Sequence, residues 1–454
     1  MLYRIYLILS CILWIGNSKS NANILVEIPK GQVVDTIKCI DDRSQSYALY
    51  LPSYYTTNKK FPIVYIFEPG ARGKLPLGKY YQIAEKYGYI LVCSNNSRNG
   101  PAKVFQDAAD AVLADTKFRF AVDTGRIYTM GFSGGARVAI GLAIKMHNIK
   151  GVIACGAGFP SDRQPNKYIK FTMVGLVGKL DMNYIELKML EKELQKFNIN
   201  CWVDYYDGEH DWPGKECMED AFLYLQFDAM RRNLIKVDSD LCLRYKQEQL
   251  KLINSNDVYK NWVTYQKLQR FVNHLTDTEI IDNEINKYSI DQTVKSQIEI
   301  EKKYQQLELE WFEKIGTAFN KLDEYPILWW KGEAKKLNKA IDDSTDMEMN
   351  LIARRLNNMI YMNAFEILNL EENDFEKSEK ILRIAQLARH LSPYPTYYLA
   401  SIYAQQKKNS MALKMLKESI DNGFSNINYI RNDNNFKHLA TDKQFLEIIT
   451  AINK

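Results

Sequence analysis

The chain has 454 residues, of which 46% are hydrophobic and 25% charged, and it carries a formal net charge of +5. Because one compact core rarely accommodates so long a chain, we expect two or more domains. The composition is that of an ordinary soluble protein, and the mild basic excess is spread along the chain, so it gives no indication of a nucleic-acid partner.

Residues 1–22 have the features of a secretory signal peptide. Arg4 supplies a positive charge, and the apolar residues 5–15 follow it. Three small residues suited to cleavage come next: Ser18, Ser20 and Ala22. The apolar segment is too short to span a bilayer comfortably, although an uncleaved anchor is the alternative interpretation. We therefore expect an exported protein, periplasmic or extracellular, with no membrane span after signal cleavage.

Apolar strand-like segments alternate with amphipathic helices between about residues 30 and 235. The predicted strands are Tyr47–Leu51, Ile63–Phe67, Ile90–Cys93, Ile127–Met130, Val152–Cys155, Phe171–Leu176 and Trp202–Tyr206. The predicted helices are Lys79–Tyr87, Val104–Phe118, Gly134–Lys145, Tyr184–Phe197 and Met218–Leu234. This alternation predicts an α/β domain over residues 23–235, with a mainly parallel, doubly wound sheet covered by helices on both faces.

The strand pattern disappears after about residue 235, and we expect an all-α region from there on. Apolar residues at three- and four-residue steps, or multiples of them, predict a long amphipathic helix over much of residues 290–322. We assign residues 236–348 to a helical region and residues 349–454 to tetratricopeptide-like repeats.

The repeat prediction rests on the spacing of small and large apolar residues. The positions that match one tetratricopeptide unit are Leu399, Ala400, Tyr403, Ala412 and Leu416. Ser378 and Leu382 correspond to the last two of these, one repeat length of 34 residues earlier. A generic helical hairpin is the alternative, and a protein partner is one interpretation of this region.

Six cysteines follow residue 22, and they show neither C-x-x-C spacing nor the cluster of a metal site. We expect no metal and no cofactor. Cys217 with Cys201 or Cys242 is a candidate disulfide that the sequence leaves undecided.

Residues 131–135 read Gly-Phe-Ser-Gly-Gly, a G-x-S-x-G pentapeptide. A strand-like segment precedes it and an Ala-rich helical segment follows, so we predict Ser133 on a tight strand-to-helix turn. Its flanking glycines permit a strained backbone, and the helix N-terminus favours a developing anion. Ser133 is therefore the predicted nucleophile of a serine hydrolase, at the carboxyl end of a central strand.

His210 is the predicted base, chosen among five histidines. Three of the others lie in the helical C-terminal part, and His147 stands near the far end of the helix after Ser133, about 20 Å away at 1.5 Å per residue. His210 follows the last predicted strand and thus reaches the same sheet edge as Ser133.

Asp181 is the predicted acid that fixes the imidazole tautomer. It lies on the turn after the strand at residues 171–176, and it gives the chain order Ser, Asp, His. Rivals by proximity to His210 are Asp207, Glu209 and Asp211, and a helix N-cap is the alternative role of Asp181.

An oxyanion hole needs two preset N–H groups. We expect one from Gly134 and the other from Ala71 or Arg72, in the loop after the strand at residues 63–67; a plain glycine-rich turn is the alternative for that loop. The polar loop at residues 94–101 is expected to shape substrate access.

Residues 131–136, Gly-Phe-Ser-Gly-Gly-Ala, and residues 208–214, Gly-Glu-His-Asp-Trp-Pro-Gly, resemble motifs of the α/β-hydrolase superfamily, nearest to secreted esterases of the feruloyl esterase and polyhydroxybutyrate depolymerase type. The resemblance covers about residues 30–235 and implies the α/β-hydrolase fold with Ser133, Asp181 and His210 as its triad. It also implies that Trp212 lines the site, with a core tryptophan as the equal alternative, and we add Phe132 as a second substrate contact. The His-Gly pair usual at the oxyanion loop is absent.

These observations predict an exported carboxylic-ester hydrolase that forms an acyl-enzyme on Ser133 and takes a small-molecule or polymer-linked ester. A serine peptidase of the same fold is one alternative, because the same triad cleaves amides. The other is an interaction protein, in which the tetratricopeptide-like tail binds a partner and the hydrolase domain is a passive platform.

Overall fold

The computed structural model describes residues 28–253, 256–368 and 374–450, so the predicted signal peptide lies outside the described residues. Within them, one sheet contains eight strands in the order β1-β2-β4-β3-β5-β6-β7-β8. The strands are β1 (Val33–Lys38), β2 (Ser46–Tyr50), β3 (Phe61–Phe67), β4 (Ile90–Ser94), β5 (Val122–Phe132), β6 (Ile149–Cys155), β7 (Thr172–Gly178) and β8 (Cys201–Tyr206).

The sheet is parallel except at β2, which pairs antiparallel with both β1 and β4. Five helices cover its two faces: α1 (Lys74–Tyr87), α2 (Ala102–Arg119), α3 (Gly134–Lys145), α4 (Tyr184–Lys196) and α5 (Lys215–Arg231). Because helices cover both faces, central strands such as β3, Phe-Pro-Ile-Val-Tyr-Ile-Phe, are buried at every position. The predicted α/β class is confirmed.

The structure adds β1, which sequence analysis did not predict. This strand reads Val-Val-Asp-Thr-Ile-Lys, lies at the sheet edge and has no buried residue. An edge strand needs little apolar surface, so it leaves no hydrophobic pattern in the sequence. Helix α1 also begins at Lys74, five residues before the predicted start, because Pro76 is tolerated in a first helical turn.

Helices alone follow α5 among the described residues. They are α6 (Ser239–Lys251), α7 (Val258–Val272), α8 (Glu279–Ser289), α9 (Gln292–Asn320), α10 (Ile327–Asp342), α11 (Met347–Leu368), α12 (Phe375–Ala388), α13 (Pro393–Gln405), α14 (Asn409–Asp421), α15 (Ile427–Asn432) and α16 (Lys443–Thr450). The all-α prediction is confirmed, and α9 matches the long amphipathic helix predicted for residues 290–322.

The predicted domain boundary at residue 235 does not coincide with a break in packing. One sheet face packs on α2, α3 and α4. The other face packs on α1 and α5 and shares its core with α6, α7 and α8, through buried residues such as Tyr245, Phe271 and Ile281. Two further cores follow, one among α9 to α12 and one among α12 to α16.

The residues that predict a tetratricopeptide unit are buried where α13 packs on α14. Leu399, Ala400, Tyr403, Ala412 and Leu416 are all fully buried. The repeat class itself stays a prediction. No helix in the described part of the chain combines the length and apolar character needed to cross a bilayer. The described cysteines are free thiols, so neither candidate disulfide of Cys217 is formed.

Candidate functional site

Ser133 lies between β5 and α3 with a backbone φ of 53°, which is unusual for a residue with a side chain. The turn is tight because its neighbours lack side chains. A Cβ on Gly131 would stand 2.1 Å from the Gly135 carbonyl oxygen, and a Cβ on Gly135 would stand 2.0 Å from the Phe67 carbonyl oxygen. The backbone segments approach so closely that only glycine fits at these two positions, which is what the pentapeptide pattern requires. The turn places Ser133 at the carboxyl edge of the sheet.

We expect Gly135→Ala to destabilise the protein by about 3 kcal/mol, because the new Cβ must displace a backbone carbonyl that no rotamer change can move. Gly141→Ala is the matched control in the same helix, since its Cβ would meet only Pro160 Cγ, at 3.7 Å. That substitution should raise the unfolding free energy by about 0.5–1 kcal/mol. Urea denaturation followed by circular dichroism measures both, and equal stabilities would contradict the steric explanation.

His210 and Asp181 complete a hydrogen-bonded series with Ser133. His210 Nε2 lies 3.0 Å from Ser133 Oγ, and His210 Nδ1 lies 2.9 Å from Asp181 Oδ2. The Asp181 side chain is fully buried, whereas 19% of the His210 side chain is exposed. The structure therefore brings together the three residues that sequence analysis chose as nucleophile, acid and base.

The second carboxylate oxygen of Asp181 is also engaged, which fixes its orientation. Asp181 Oδ1 accepts the Asn183 backbone N–H at 2.8 Å, and Asn183 Nδ2 donates to the Gly156 carbonyl at 2.6 Å. Asn183, not Asp181, is the N-cap residue of α4. Gly156 has φ +63°, and a Cβ there would stand 2.9 Å from Asp181 Oδ2, so a side chain would collide with the acid.

The rival carboxylates near His210 face elsewhere. Asp207 pairs with Lys179 at 2.7 Å, and its side chain is 90% exposed. Glu209 is exposed, and Asp211 Oδ1 accepts the Trp212 backbone N–H at 2.7 Å. Among the described residues, Asp181 is thus the carboxylate that bonds the His210 ring.

Phe132 and Trp212, the predicted substrate contacts, are buried behind His210. The Phe132 ring centroid lies 4.7 Å from that of His210 and 5.5 Å from that of Trp212. Tyr80 backs Trp212, with ring centroids 5.9 Å apart. Phe132 is 7% and Trp212 4% exposed, so neither offers a substrate much surface. This corrects the expectation: the two rings form an apolar wall that supports the imidazole from the interior.

The loop after β3 is organised by Glu68, which is fully buried. Its carboxylate accepts the backbone N–H groups of Gly70 at 2.7 Å and Arg72 at 2.9 Å, and it pairs with the Arg72 guanidinium. Burial opposes ionisation of Glu68, but the bonds from the Arg72 side chain and backbone outweigh it and lower the pKa of this carboxyl.

This arrangement separates the two oxyanion candidates that the sequence left open. The Arg72 N–H is held by a buried carboxylate, a charge-assisted bond that removes it as a free donor. The Ala71 N–H makes only a turn bond to the Glu68 carbonyl, at 3.1 Å, and Ala71 has φ 59°. The expectation for Arg72 is thus corrected: its N–H is engaged by Glu68. Ala71 is the better placed of the two residues to donate to an oxyanion.

Asn99 is a site residue that sequence analysis did not single out from its polar loop. Its backbone N–H donates to the Pro69 carbonyl at 2.9 Å, which ties the loop at residues 94–101 to the loop after β3. A Cβ on Gly134 would stand 2.0 Å from Asn99 Oδ1 and 3.2 Å from Asn99 Nδ2. The side-chain amide thus lies against the first residue of α3. Only the pairing of two loops distant in sequence puts it there, so no local pattern indicates it.

A groove of about 730 Å³ begins at Ala71 and extends along the sheet edge. Its lining includes Asp35, Arg72, Lys74, Leu75, Lys79 and Asn95. It lies beside the loop that follows β3, the strand next to the one that carries Ser133.

No protein-family model matches this chain, and no curated protein does either. Solved structures match it in part. S-formylglutathione hydrolase FrmB of Staphylococcus aureus is 13% identical, over 44% of this chain and 98% of its own, with a TM-score of 0.35. FphF, a fluorophosphonate-binding serine hydrolase of the same organism, is 13% identical over 43% and 99%, with a TM-score of 0.37. The feruloyl esterase module of Clostridium thermocellum is 14% identical over 42% and 86%, with a TM-score of 0.32.

The fold follows from the sheet itself. Eight strands are parallel except at β2, and β3 and β4 are exchanged in the order. The serine follows β5, the aspartate follows β7 and the histidine follows β8, all at the carboxyl edge. The chain therefore has an α/β-hydrolase fold that continues into an all-α C-terminal region.

Proposed function

We propose that this protein is a serine hydrolase that cleaves carboxylic esters through an acyl-enzyme on Ser133. One observation carries the proposal: a continuous series from Ser133 Oγ through the His210 ring to the buried Asp181, with separations of 3.0 and 2.9 Å. Hydrogen-bond contact between nucleophile and base, with the base oriented by a third group, is the arrangement that activates a serine hydroxyl.

In the proposed reaction, His210 Nε2 accepts the Ser133 proton as Oγ attacks the ester carbonyl. Asp181 accepts the bond from Nδ1–H and stabilises the imidazolium that forms. The imidazolium then protonates the leaving alcohol, and the acyl group stays on Ser133. Water, deprotonated by His210, attacks the acyl-enzyme and releases the acid. His210 returns that proton to Ser133 Oγ as the bond between Oγ and the acyl carbon breaks, so the serine hydroxyl is restored.

We assign the tetrahedral oxyanion to the N–H of Gly134, at the start of α3, and to the N–H of Ala71. The positive φ of Ala71 supports this role, because strained backbone conformations cluster at functional sites. Asn99 adds a side-chain amide beside Gly134. A half-turn about its terminal torsion would present Nδ2 to the same space, as a third donor.

Asn99→Ala is expected to lower kcat about tenfold with KM little changed, because the lost donor acts on the developing oxyanion. This decrease in kcat should be smaller than the decrease typical of removing a buried oxyanion donor, since Asn99 is exposed to solvent. Asn99→Asp should lower kcat further, because a carboxylate repels the oxyanion. Arg98→Ala is the control, an exposed neighbour in the same loop. Steady-state kinetics on a p-nitrophenyl ester measures kcat and KM of all three variants. A wild-type kcat in Asn99→Ala would show that Asn99 is not an oxyanion donor.

The substrate class, a small-molecule or polymer-linked ester, is tested by a panel that varies acyl and alcohol groups. The panel includes short p-nitrophenyl esters, feruloyl esters and aminoacyl amides. We expect kcat/KM on esters to exceed that on amides. Faster amide cleavage would make the protein a serine peptidase. Turnover of neither, together with no labelling by a fluorophosphonate, would leave an interaction protein with a passive hydrolase domain.

Export is part of the proposal and rests on the residue pattern of residues 1–22. Expression of the full chain with its N-terminus intact tests it, because a mature protein that begins near residue 23 outside the cytoplasm is the expected product. A protein partner for the tetratricopeptide-like helices is also proposed, on the spacing of their buried residues alone.

A further inference from the structure

The loop that carries Asp181 is held from two sides. On one side, the backbone N–H groups of Lys179 and Leu180 donate to carbonyls of the histidine-bearing segment, Tyr206 at 2.8 Å and Gly208 at 2.9 Å. The carbonyl groups of the same two residues point the other way, and both are bound by α11, which belongs to the all-α part of the chain after residue 235. From here on, the helical region means all of this all-α part. The acid loop is therefore clamped between the base loop and a helix more than 160 residues later in the chain.

Two side chains of α11 make these contacts. Arg355 Nη1 donates to the Lys179 carbonyl at 2.7 Å, and Asn358 Nδ2 donates to the Leu180 carbonyl at 3.3 Å. Met182, the residue after Asp181, packs against the apolar core of α9 to α12. Thus the two residues before Asp181 and the one after it are all in contact with the helical region.

Arg355 is itself rigidly placed. Its Nε and Nη2 bind the two carboxylate oxygens of Glu308 on α9, at 2.6 and 2.7 Å. Both side chains are buried, and the guanidinium carbon lies 4.3 Å above the centroid of the Tyr184 ring. A buried ion pair adds little net stability on average, because desolvation offsets the attraction. A guanidinium fixed in this way has a donor left over, which it directs at the acid loop.

We infer that the helical region completes the active site, with Arg355 and Asn358 as positioning residues that hold the Asp181 loop. The inference rests on the proposed hydrolase function and adds to it that catalysis requires the helical region. Neither residue touches the reacting atoms. Their effect passes through Asp181, whose displacement by about 1 Å would be enough to cost a large part of the rate.

Other contacts between the two parts of the chain leave the acid loop untouched. Lys192 of α4 donates to Gln305 of α9 at 2.6 Å, and Arg270 of α7 pairs with Glu191 of α4 at 2.6 Å. A purely adhesive interface would need only contacts of this kind. Arg355 and Asn358 are distinctive because their acceptors are backbone carbonyls one and two residues before the acid.

The test uses the full-length chain. Arg355→Met with Glu308→Leu removes the donor to Lys179 and leaves no unpaired buried charge. Its matched control is Lys314→Met with Glu333→Leu, which removes another ion pair of α9, one with a buried carboxylate and a separation of 2.7 Å, inside the helical region. Asn358→Ala is paired with Asn357→Ala, whose side chain instead bonds Asn338 at 3.0 Å.

We expect the Arg355 and Glu308 double variant to lose about tenfold in kcat on a p-nitrophenyl ester, with KM within about twofold of wild type. The rate of Ser133 labelling by a fluorophosphonate should fall by a similar factor, because it reads nucleophile activation without substrate recognition. Asn358→Ala should lower kcat about threefold, since it removes one longer bond to the acid loop; the bonds that it also loses, from the Arg389 guanidinium to Asn358 Oδ1, do not reach that loop. The single variant Glu308→Gln should retain nearly wild-type kcat, because its amide oxygen still accepts a hydrogen bond from Arg355. Both control variants should keep kcat and the labelling rate within about twofold of wild type.

Thermal melting of every variant sets an assay temperature well below unfolding. Wild-type kcat in the double variant would overturn the inference, and so would an equal loss in the Lys314 and Glu333 control, which would mean that general stability is responsible. A changed KM with unchanged kcat would also overturn it. A wild-type chain without ester turnover or labelling would refute the proposed function itself, an outcome distinct from all of these.

Discussion

Ser133→Ala is expected to reduce kcat on p-nitrophenyl esters by about 10⁶-fold, the scale of nucleophile loss in a serine hydrolase with an intact triad. The alanine cannot form an acyl-enzyme, and His210 then has no hydroxyl to activate. Labelling by a fluorophosphonate should vanish for the same reason. The fold should persist, because alanine has the same Cβ as serine and adds no backbone strain, and among the described residues the Ser133 hydroxyl bonds only His210.

Ser161→Ala is the control, since Ser161 is exposed in the loop that follows Phe159. It should retain wild-type turnover and labelling. Unchanged labelling in Ser133→Ala would show that another nucleophile reacts, and the proposed mechanism would fail. A melting temperature lowered by many degrees in Ser133→Ala would instead mean that the turn had collapsed, so melting is measured alongside the kinetics.

Asp181→Asn is expected to lower kcat by about 10⁴-fold while the site keeps its shape. The amide has nearly the size of the carboxylate, and its oxygen can still accept the Asn183 N–H. Its NH₂ group, however, donates to His210 Nδ1 and so favours the tautomer that has a proton on Nε2, facing Ser133. That tautomer cannot accept the serine proton. Stopped-flow labelling and steady-state kinetics together measure the loss.

Asp207→Asn and Asp211→Asn are the matched controls for this prediction. Asp207 pairs with Lys179 at the surface, and Asp211 accepts a backbone N–H next to it, so neither contacts the imidazole. Both should keep kcat within about twofold of wild type. A large loss in either control, with Asp181→Asn near wild type, would reassign the acid and contradict the geometry of the buried carboxylate.

Much of the sheet could be predicted because buried parallel strands have an unmistakable composition. Segments such as Ile63–Phe67 and Val152–Cys155 are apolar throughout, and helices of amphipathic pattern separate the strands. The missed strand β1 carries exposed Asp35, Thr36 and Lys38, so its pairing with β2 depends on backbone hydrogen bonds that the side chains do not report.

The extent of the α/β unit was harder to predict than its existence. Loss of the strand pattern after residue 235 suggested a boundary there. In the structure, Tyr245 and Phe271 stack with ring centroids 5.0 Å apart in the same core as the sheet face beneath α5. Amphipathic helices pack equally well on a sheet or on one another, so the pattern within α6 and α7 carries no information about which surface they cover.

The triad was predictable because each member lies directly after a strand of a parallel sheet, where the carboxyl ends converge. Phe132 and Trp212 show the limit of such reasoning. Their proximity in sequence to Ser133 and His210 suggests contact with the substrate, but both side chains are buried in the core. Phe132 is the last residue of β5, and Trp212, in the loop after β8, packs against its ring.

By itself, then, the sequence determined the fold class, the strand-to-helix turn at Ser133 and the roles expected of Asp181 and His210, because these depend on local patterns and chain order. Tertiary structure alone decided that Asn99 lies against Gly134 and that Arg355 and Asn358 hold the acid loop. Such contacts join residues far apart in the chain, and their partners are mostly backbone groups, which every residue has. No side-chain pattern can therefore indicate them. The first depends on how two loops of the sheet domain pair, and the other two depend on how the helical region packs on that domain.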